Sequence, residues 1–333
     1  MPTMRDIATR AQVSTATVSH VINDSAYVGP QLRERVLKAI QELNYHPNWM
    51  ARSLRTKRTK TIGMIIPDIS NPFFPTVVRG AEDVLNRAGY TLLIGNSEND
   101  PAKEENYYHA FLQKRVDGLL LVASPTVKPP AYLRQHNLEE LPVVYVDRWF
   151  PGLRGDVVLA DNVGGSYLAV RHMINAGHRR IGIITLPLAL PGGRLRLKGY
   201  LQALQEYGIP AAEELIREGK FDLHSGYEQT MALLRMEARP TGLFISNLVL
   251  TMGCLQAVAE LGMRFPQDLA VVSFDDVDWF ALMRPSITAV AQPAYGLGAT
   301  GARVLVERLM GVASGPRRRI VLKTELVVRD SCP

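Results

Sequence analysis

Cysteine is nearly absent: the 333-residue chain has two, Cys254 and Cys332. Two thiols cannot build a disulfide framework or by themselves close a zinc site, so a reducing, cytoplasmic setting without a metal is expected. No apolar run approaches the roughly 18 residues needed to cross a bilayer. The opening MPTMRDIATR lacks the apolar core of a signal peptide, so no membrane is expected among its partners. Catalytic signatures are missing too, with no P-loop, no HExxH and no GxSxG. Gly296-Leu297-Gly298-Ala299-Thr300-Gly301 does satisfy GxGxxG. However, Pro293 and Tyr295 interrupt its strand-to-loop junction, and Arg317-Arg318-Arg319 stands where a dinucleotide fold needs an acid, about twenty positions on. Small residues on a helix packing against a sheet are the expected reading. Asp275-Asp276-Val277-Asp278 lacks the glycine and distal glutamate of a calcium loop, and His178 has no metal-spaced partner. Neither an enzyme nor a cofactor is predicted.

The composition, 47% hydrophobic and 21% charged, is that of an ordinary globular protein, and the length suggests about two domains with a small appendage. The charge is distributed unevenly. The chain holds 38 Lys and Arg against 32 Asp and Glu, a surplus of six. Within residues 1–60 the basic residues are Arg5, Arg10, Arg33, Arg35, Lys38, Arg52, Arg55, Lys57, Arg58 and Lys60, against Asp6, Asp24, Glu34 and Glu42. The whole surplus therefore lies there, and the remainder is neutral. A basic module on a neutral body is the electrostatic footprint of nucleic-acid binding.

The basic module reads as three short helices. Thr3 can cap the first, over Met4 to Ala11, with Ile7, Ala8 and Ala11 on one face. Ser14 can cap a second, from Thr15 to about Ile22, after the tight turn Gln12-Val13-Ser14. A third, from about Gln31 to Leu43, spaces Leu32, Val36, Leu37, Ile40 and Leu43 for burial. Two helices joined by a short turn and braced by a third form a helix-turn-helix. Thr15, Ala16 and Thr17 are small enough to let a backbone approach a duplex, and His20 projects one turn further.

The run MRDIATRAQVSTATVSHVIND and the following VLKAIQELNYHPNWMARSLRTKRTKTIGMIIPDISNPFF closely resemble the start of LacI-type bacterial transcription regulators, especially the purine- and ribose-responsive members. The resemblance implies a repressor that binds double-stranded operator DNA, palindromic in sequence, as a homodimer. It implies DNA-binding roles for Thr3, Ser14, Thr15, Ala16, Thr17, His20, Asn23, Ala51, Leu54 and Arg55. The segment from Pro47 to Thr56 then matches a hinge helix that orders on operator DNA, with Leu54 as a minor-groove wedge. Ten residues are too few for a stable isolated helix, so such a segment needs a partner surface.

From Thr61 onward, short apolar runs alternate with amphipathic stretches, the pattern of doubly wound parallel sheets. Strands are expected at Thr61–Ile66, Tyr90–Gly95, Gly118–Val122, Val143–Val146, Ile181–Thr185, Thr241–Ile245, Ala270–Phe274 and Ile287–Val290. The expected fold is an all-α headpiece plus a two-lobed α/β body that resembles periplasmic sugar-binding proteins. Expected boundaries are 1–46 for the head, 47–60 for hinge and linker, and 61–333 for the body. Lobe one takes about 61–161 and 292–323, and lobe two about 162–291 and 324–333.

Ligands of open parallel sheets sit beyond the carboxyl ends of the strands. There the sequence places Asp68 and Asn71 to Phe74, Asn96-Ser97, Asp147-Arg148, Arg194, Arg196, Ser246-Asn247 and Phe274 to Asp276. Carboxylates and guanidinium groups among aromatic faces suit a small carbohydrate effector. By resemblance, Arg196 and Asp275 match the family's main effector positions, and Phe73, Phe74, Asp147, Phe221 and Asn247 match supporting ones. Leu190 and Gly192 replace the Arg and Thr of purine-responsive members, which favours a sugar. Leu248 and Ser273 depart from the family's Asp and Gly, and Leu248 is expected to remove an acceptor near the cleft. A protein corepressor, as in the family's catabolite-control branch, is the alternative partner.

Overall fold

The computed structural model describes residues 2–45, 58–135, 141–312 and 315–333, in two compact units, Met1–Thr59 and Lys60–Pro333. The expected hinge helix, with Ala51, Leu54 and Arg55, lies outside the described residues, as does the side chain of Asn23.

In the first unit, α1 (Met4–Ala11) starts at a reciprocal cap. Thr3 Oγ1 accepts from Asp6 N, and the Asp6 carboxylate accepts from Thr3 N at 2.7 Å. These bonds hold the Asp6 carboxyl below its ordinary pKa. Gln12 takes a left-handed conformation, φ 52°, which turns the chain into α2 (Thr15–Asn23). Helix α3 (Pro30–Glu42) braces the pair, and its Arg35 guanidinium donates to the carbonyls of Ala11 and Gln12 in the turn. Ile7, Ala8, Ala11, Val18, Val21, Val36 and Ala39 form the small core. Leu32 and Leu37, expected inside, are 39% and 51% exposed. The inward stripe of α3 runs through Val36, Ala39, Ile40 and Leu43, and Leu37 sits a hundred degrees round the helix from Val36.

The second unit begins with β1 (Thr61–Ile66), α4 (Phe73–Arg87), β2 (Thr91–Asn96), α5 (Pro101–Gln113), β3 (Gly118–Leu121), α6 (Ala131–Gln135), β4 (Val143–Val146) and β5 (Asp156–Ala160). The chain then crosses to α7 (Asn162–Asn175), β6 (Ile181–Thr185), α8 (Pro191–Glu206), β7 (Ile216–Glu218), α9 (Leu223–Leu234), β8 (Gly242–Ile245), α10 (Leu248–Glu260), β9 (Ala270–Phe274) and β10 (Thr288–Ala291). It returns for α11 (Ala294–Leu309) and β11 (Arg319–Leu322), and ends with β12 (Glu325–Val327). Two six-stranded sheets result, ordered β11-β5-β4-β3-β1-β2 and β12-β10-β9-β8-β6-β7. All pairings are parallel except β10 with β12. Three connections therefore join the lobes, at Asp161, at Gln292-Pro293 and at Lys323-Thr324.

Each sheet is covered on both faces, which explains strands such as Gly118–Leu121 that are apolar throughout. The GxGxxG run falls in α11. A Cβ on Gly298 would lie 1.8 Å from the Val77 carbonyl oxygen of α4, and one on Gly301 would meet Val146 of β4 at 2.8 Å. Gly301 faces the sheet, as expected of small residues on a helix packing against it, and Gly298 also allows close contact with α4.

The late strand β11 is anchored by Asp156, whose side chain is 2% exposed. Arg308 reaches its two carboxylate oxygens at 2.9 Å each, and Arg318 N donates to it at 2.8 Å. Although burial opposes ionisation, the Arg308 and Arg318 hydrogen bonds hold its carboxyl below the ordinary 3.8.

Two outcomes follow for stability. Gly298→Val forces α4 and α11 apart and costs about 1–3 kcal/mol or more in urea denaturation. Asp156→Ala leaves Arg308 buried without its counter-charge and costs about 3–5 kcal/mol at pH 7. Because the folded pKa of Asp156 is depressed, its contribution is present above pH 3.8 and is lost as pH falls through the folded value. Denaturation curves of wild type and Asp156→Ala therefore converge in acid.

Candidate functional site

The α1–α2 pair presents Ser14, Thr15 and Ala16 as exposed residues at the N-terminal end of α2, with Thr17 and His20 half-buried behind them. Their chemistry is not uniform. Ser14 Oγ accepts from Thr17 N at 3.0 Å and lies 2.9 Å from Thr17 Oγ1, so these two hydroxyls hold the helix start. The Thr3 hydroxyl is likewise engaged by Asp6. Thr15 and Ala16 project without a side-chain bond among the described residues, and His20 Nδ1 meets Ser25 Oγ at 3.0 Å. The basic residues divide as well. Arg10 pairs with Glu42 and Arg33 with Asp24, while Arg35 braces the turn. Net charge thus overstated the cations free for phosphates on this unit.

In the second unit, the carboxyl ends of both sheets face a cleft. All seven expected effector residues line it: Phe73, Phe74 and Asp147 from lobe one, and Arg196, Phe221, Asn247 and Asp275 from lobe two. Arg196 is 6% exposed. Its Nε donates to Asn162 Oδ1 at 2.8 Å, its Nη1 to the Ser246 carbonyl, and the guanidinium carbon lies 3.8 Å from the centre of the Phe274 ring. Burial pulls its pKa down, and Asp275 and Asp147 oppose that pull. The edge bearing Nη2 makes no hydrogen bond among the described residues.

Asp275 follows β9 in a left-handed conformation, φ 82°, and lines the cleft. Oδ2 accepts from Leu248 N at 3.1 Å and Oδ1 from Gln292 Nε2 at 2.5 Å. Each oxygen keeps a further lone pair. Asp147, also left-handed at φ 62°, has Arg148 Nε 3.8 Å away and no hydrogen bond to its carboxylate among the described residues. Burial pushes this carboxyl up, opposed by Arg148 and Arg196. Asn247 caps α10 through Oδ1 to Leu250 N at 2.9 Å, leaving its amide protons for the cleft. Arg148 donates to Asn99 Oδ1 at 2.9 Å, and its guanidinium sits 4.9 Å from the Phe221 ring and 5.6 Å from Phe74.

Other expected residues lie elsewhere. Asp276 is bound bidentately by Arg329 at 2.7 and 2.8 Å. Arg194 bonds the carbonyls of Leu188 and Ala189, Ser97 that of Ile66, and Asn96 accepts from Ile69 N. Leu248 turns into a core with Val277, Phe280 and Ile287, so its side chain removes nothing from the cleft, contrary to expectation. Sequence reasoning missed Ser124, Trp149, Gln292 and Arg319 as lining residues. Gln292 directly follows the expected strand β10 but carries no charge to mark it, and Arg319 begins β11, which was not expected as a strand.

A helix-turn-helix unit joined to a two-lobed body with a polar, aromatic cleft defines a ligand-responsive DNA-binding regulator. The sequence pattern of bacterial regulatory proteins of the lacI family matches residues 3–48, and that of a periplasmic binding protein-like domain matches residues 170–332. The chain is 37% identical to the ribose operon repressor of Haemophilus influenzae over 334 residues, covering 99% of this chain and 98% of that one. It is 36% identical to an H. influenzae transcriptional repressor PurR over 333 residues, with the same coverage. Among solved structures, a lac repressor dimer bound to operator and the anti-inducer ONPF matches with TM-score 0.86 at 26% identity, covering 99% of each chain. A cellobiose complex of the regulator CelR matches with TM-score 0.74 at 32% identity, covering 99% of this chain and 100% of that one. The chain belongs to the lacI family of bacterial regulatory proteins.

The head yields a separable pair of variants. Ser14→Ala removes a helix cap and lowers the thermal stability of the head by about 1 kcal/mol along with DNA affinity. Thr15→Ala lowers DNA affinity in a gel-shift titration without moving the melting curve.

Proposed function

We propose that this regulator binds a palindromic operator as a homodimer through the α1–α2 unit, and that a small carbohydrate in the cleft sets its DNA affinity. The observation that carries the effector reading is the Arg196 guanidinium, fixed on two edges and by stacking, with its remaining edge open beside Asp275 and Asp147. Donors and acceptors so fixed suit vicinal hydroxyls, and Phe73, Phe74 and Phe221 offer faces for an apolar ring side. Solved relatives are described with ribose and with cellobiose bound, which supports the same class.

A second copy is the occupant proposed for the outer edge of lobe one. Strand β2 is an unpaired sheet edge, and Ile69 and Ile94 beside it are 56% and 45% exposed, next to Pro75, Val78 and Leu92. Such an apolar edge is a liability unless covered. A single recognition helix reads only a half-site, so a dimer also meets the requirement of specificity.

Gel shifts with a palindromic site should show operator affinity falling steeply with salt, because Lys and Arg side chains displace counterions from phosphates. Asp275→Asn keeps the shape of the side chain but loses charge-assisted acceptance, about 1.5–3 kcal/mol of effector affinity. Its DNA affinity should then no longer respond to added ligand. Undiminished calorimetric affinity in Asp275→Asn would falsify the effector assignment.

A further inference from the structure

The cleft carries polar atoms that the protein leaves unengaged. The Gln292 Oε1 atom is buried without a partner among the described residues, the Asp147 carboxylate accepts no hydrogen bond among them, and Asp275 keeps a lone pair on each oxygen. Donors stand in the same cleft. Trp149 Nε1 is buried without a partner, and an indole N–H can only donate. Ser124, 2% exposed, gives its backbone N–H to Glu104 and turns its hydroxyl to the same carboxyl, so it adds no free donor.

A cation stands beside Trp149. Arg319 lines the cleft with its guanidinium 5.3 Å from the Trp149 ring. It is the one member of the Arg317-Arg318-Arg319 run without a carboxylate in reach among the described residues, since Arg317 and Arg318 face Asp156 and Arg318 also pairs with Glu307. Arg317 and Arg318 precede β11, whereas Arg319 is its first residue. Ile320 and Leu322 of β11 turn toward the α4–α11 face, which sends Arg319 to the opposite face, where Trp149 packs.

A buried donor without a partner is costly, and an exposed guanidinium lining the cleft beside such a donor matches the acceptor oxygens of an anionic group. We propose that the effector is an acidic sugar, its phosphate or carboxylate held by Arg319 and Trp149 while its hydroxyls donate to Asp147, Asp275 and Gln292. This inference rests on the carbohydrate reading of the same cleft.

Calorimetry on the full-length protein tests it with neutral and acidic pairs: ribose and ribose 5-phosphate, glucose and glucose 6-phosphate, glucose and glucuronate. At least one acidic sugar should bind tenfold or more tightly than its neutral parent. Preference for the phosphate esters alone, or for glucuronate alone, identifies which anion the site takes. Arg319→Gln should bring the pair within about twofold of each other, and Trp149→Phe, which keeps the ring and removes the N–H, should weaken the acidic sugar severalfold while its parent is unmoved. A neutral parent that binds as tightly as its acidic form overturns the acidic end and leaves the carbohydrate reading standing. So does an acidic preference that survives Arg319→Gln, or inorganic phosphate that binds as tightly as the ester. Binding of no sugar, neutral or acidic, overturns the carbohydrate reading and this inference with it.

Discussion

Arg196 is a buried cation, and the arrangement of the cleft depends on how it is tolerated. Taking a guanidinium out of water costs several kcal/mol, and only well-placed acceptors and counter-charges offset that. Asn162 and the Ser246 carbonyl supply the acceptors, and the Phe274 face supplies a polarisable floor. The counter-charges come from both lobes, Asp275 from lobe two and Asp147 from lobe one. Charge balance at one side chain therefore involves both halves of the body. A ligand that inserts hydroxyls here changes the solvation of a pair that spans the lobes, which is how a small molecule can favour one lobe arrangement over another.

Asp275 carries this one step further along the chain. Its carboxylate accepts from Gln292, which sits in the second of the three connections between the lobes. Ser273 supports it from below, with Oγ bonded to Thr251 and to the Asp275 carbonyl. The residue that would sense hydroxyls is thus hydrogen-bonded directly to a crossing segment, with no intervening core. On the proposed reading, a ligand contact at Asp275 is one hydrogen bond away from a segment that joins the lobes.

Much of this was legible in the sequence, for identifiable reasons. Helix caps such as Thr3 and Ser14 announce themselves because a short polar side chain before an apolar period has one common use. The strands of both sheet interiors are visible as short apolar runs. The four unread strands fail that test in different ways: β7 is three residues with two charges, β11 begins in an arginine run, β12 is short and pairs antiparallel, and β5 follows a glycine-proline loop without a helix before it. Charged residues at the carboxyl ends of expected strands were found, as with Asp147 and Asp275, whereas the uncharged Ser124 and Gln292 after β3 and β10 were not. Arg319 begins β11, a strand whose return to the first lobe no local pattern reveals. Family resemblance gave the position of Leu248 but not its direction, which the apolar neighbours Val277 and Phe280 decide.

Charge shows the same gap between composition and placement. The surplus of six in the first sixty residues pointed correctly to a nucleic-acid-binding unit, yet Arg10, Arg33 and Arg35 hold that unit together. In the neutral body, where totals carry no signal, burial and strand direction separate cations into different roles. Arg308 locks β11 through Asp156, Arg329 fixes Asp276, and Arg196 is held with one edge open. What distinguishes a structural arginine from a binding one here is how many of its donors the protein itself satisfies. Asp156 occupies two donors of Arg308, and Gly315 and Pro316 carbonyls take others. The cleft arginines lack such complete engagement, and their remaining donors are available to a ligand.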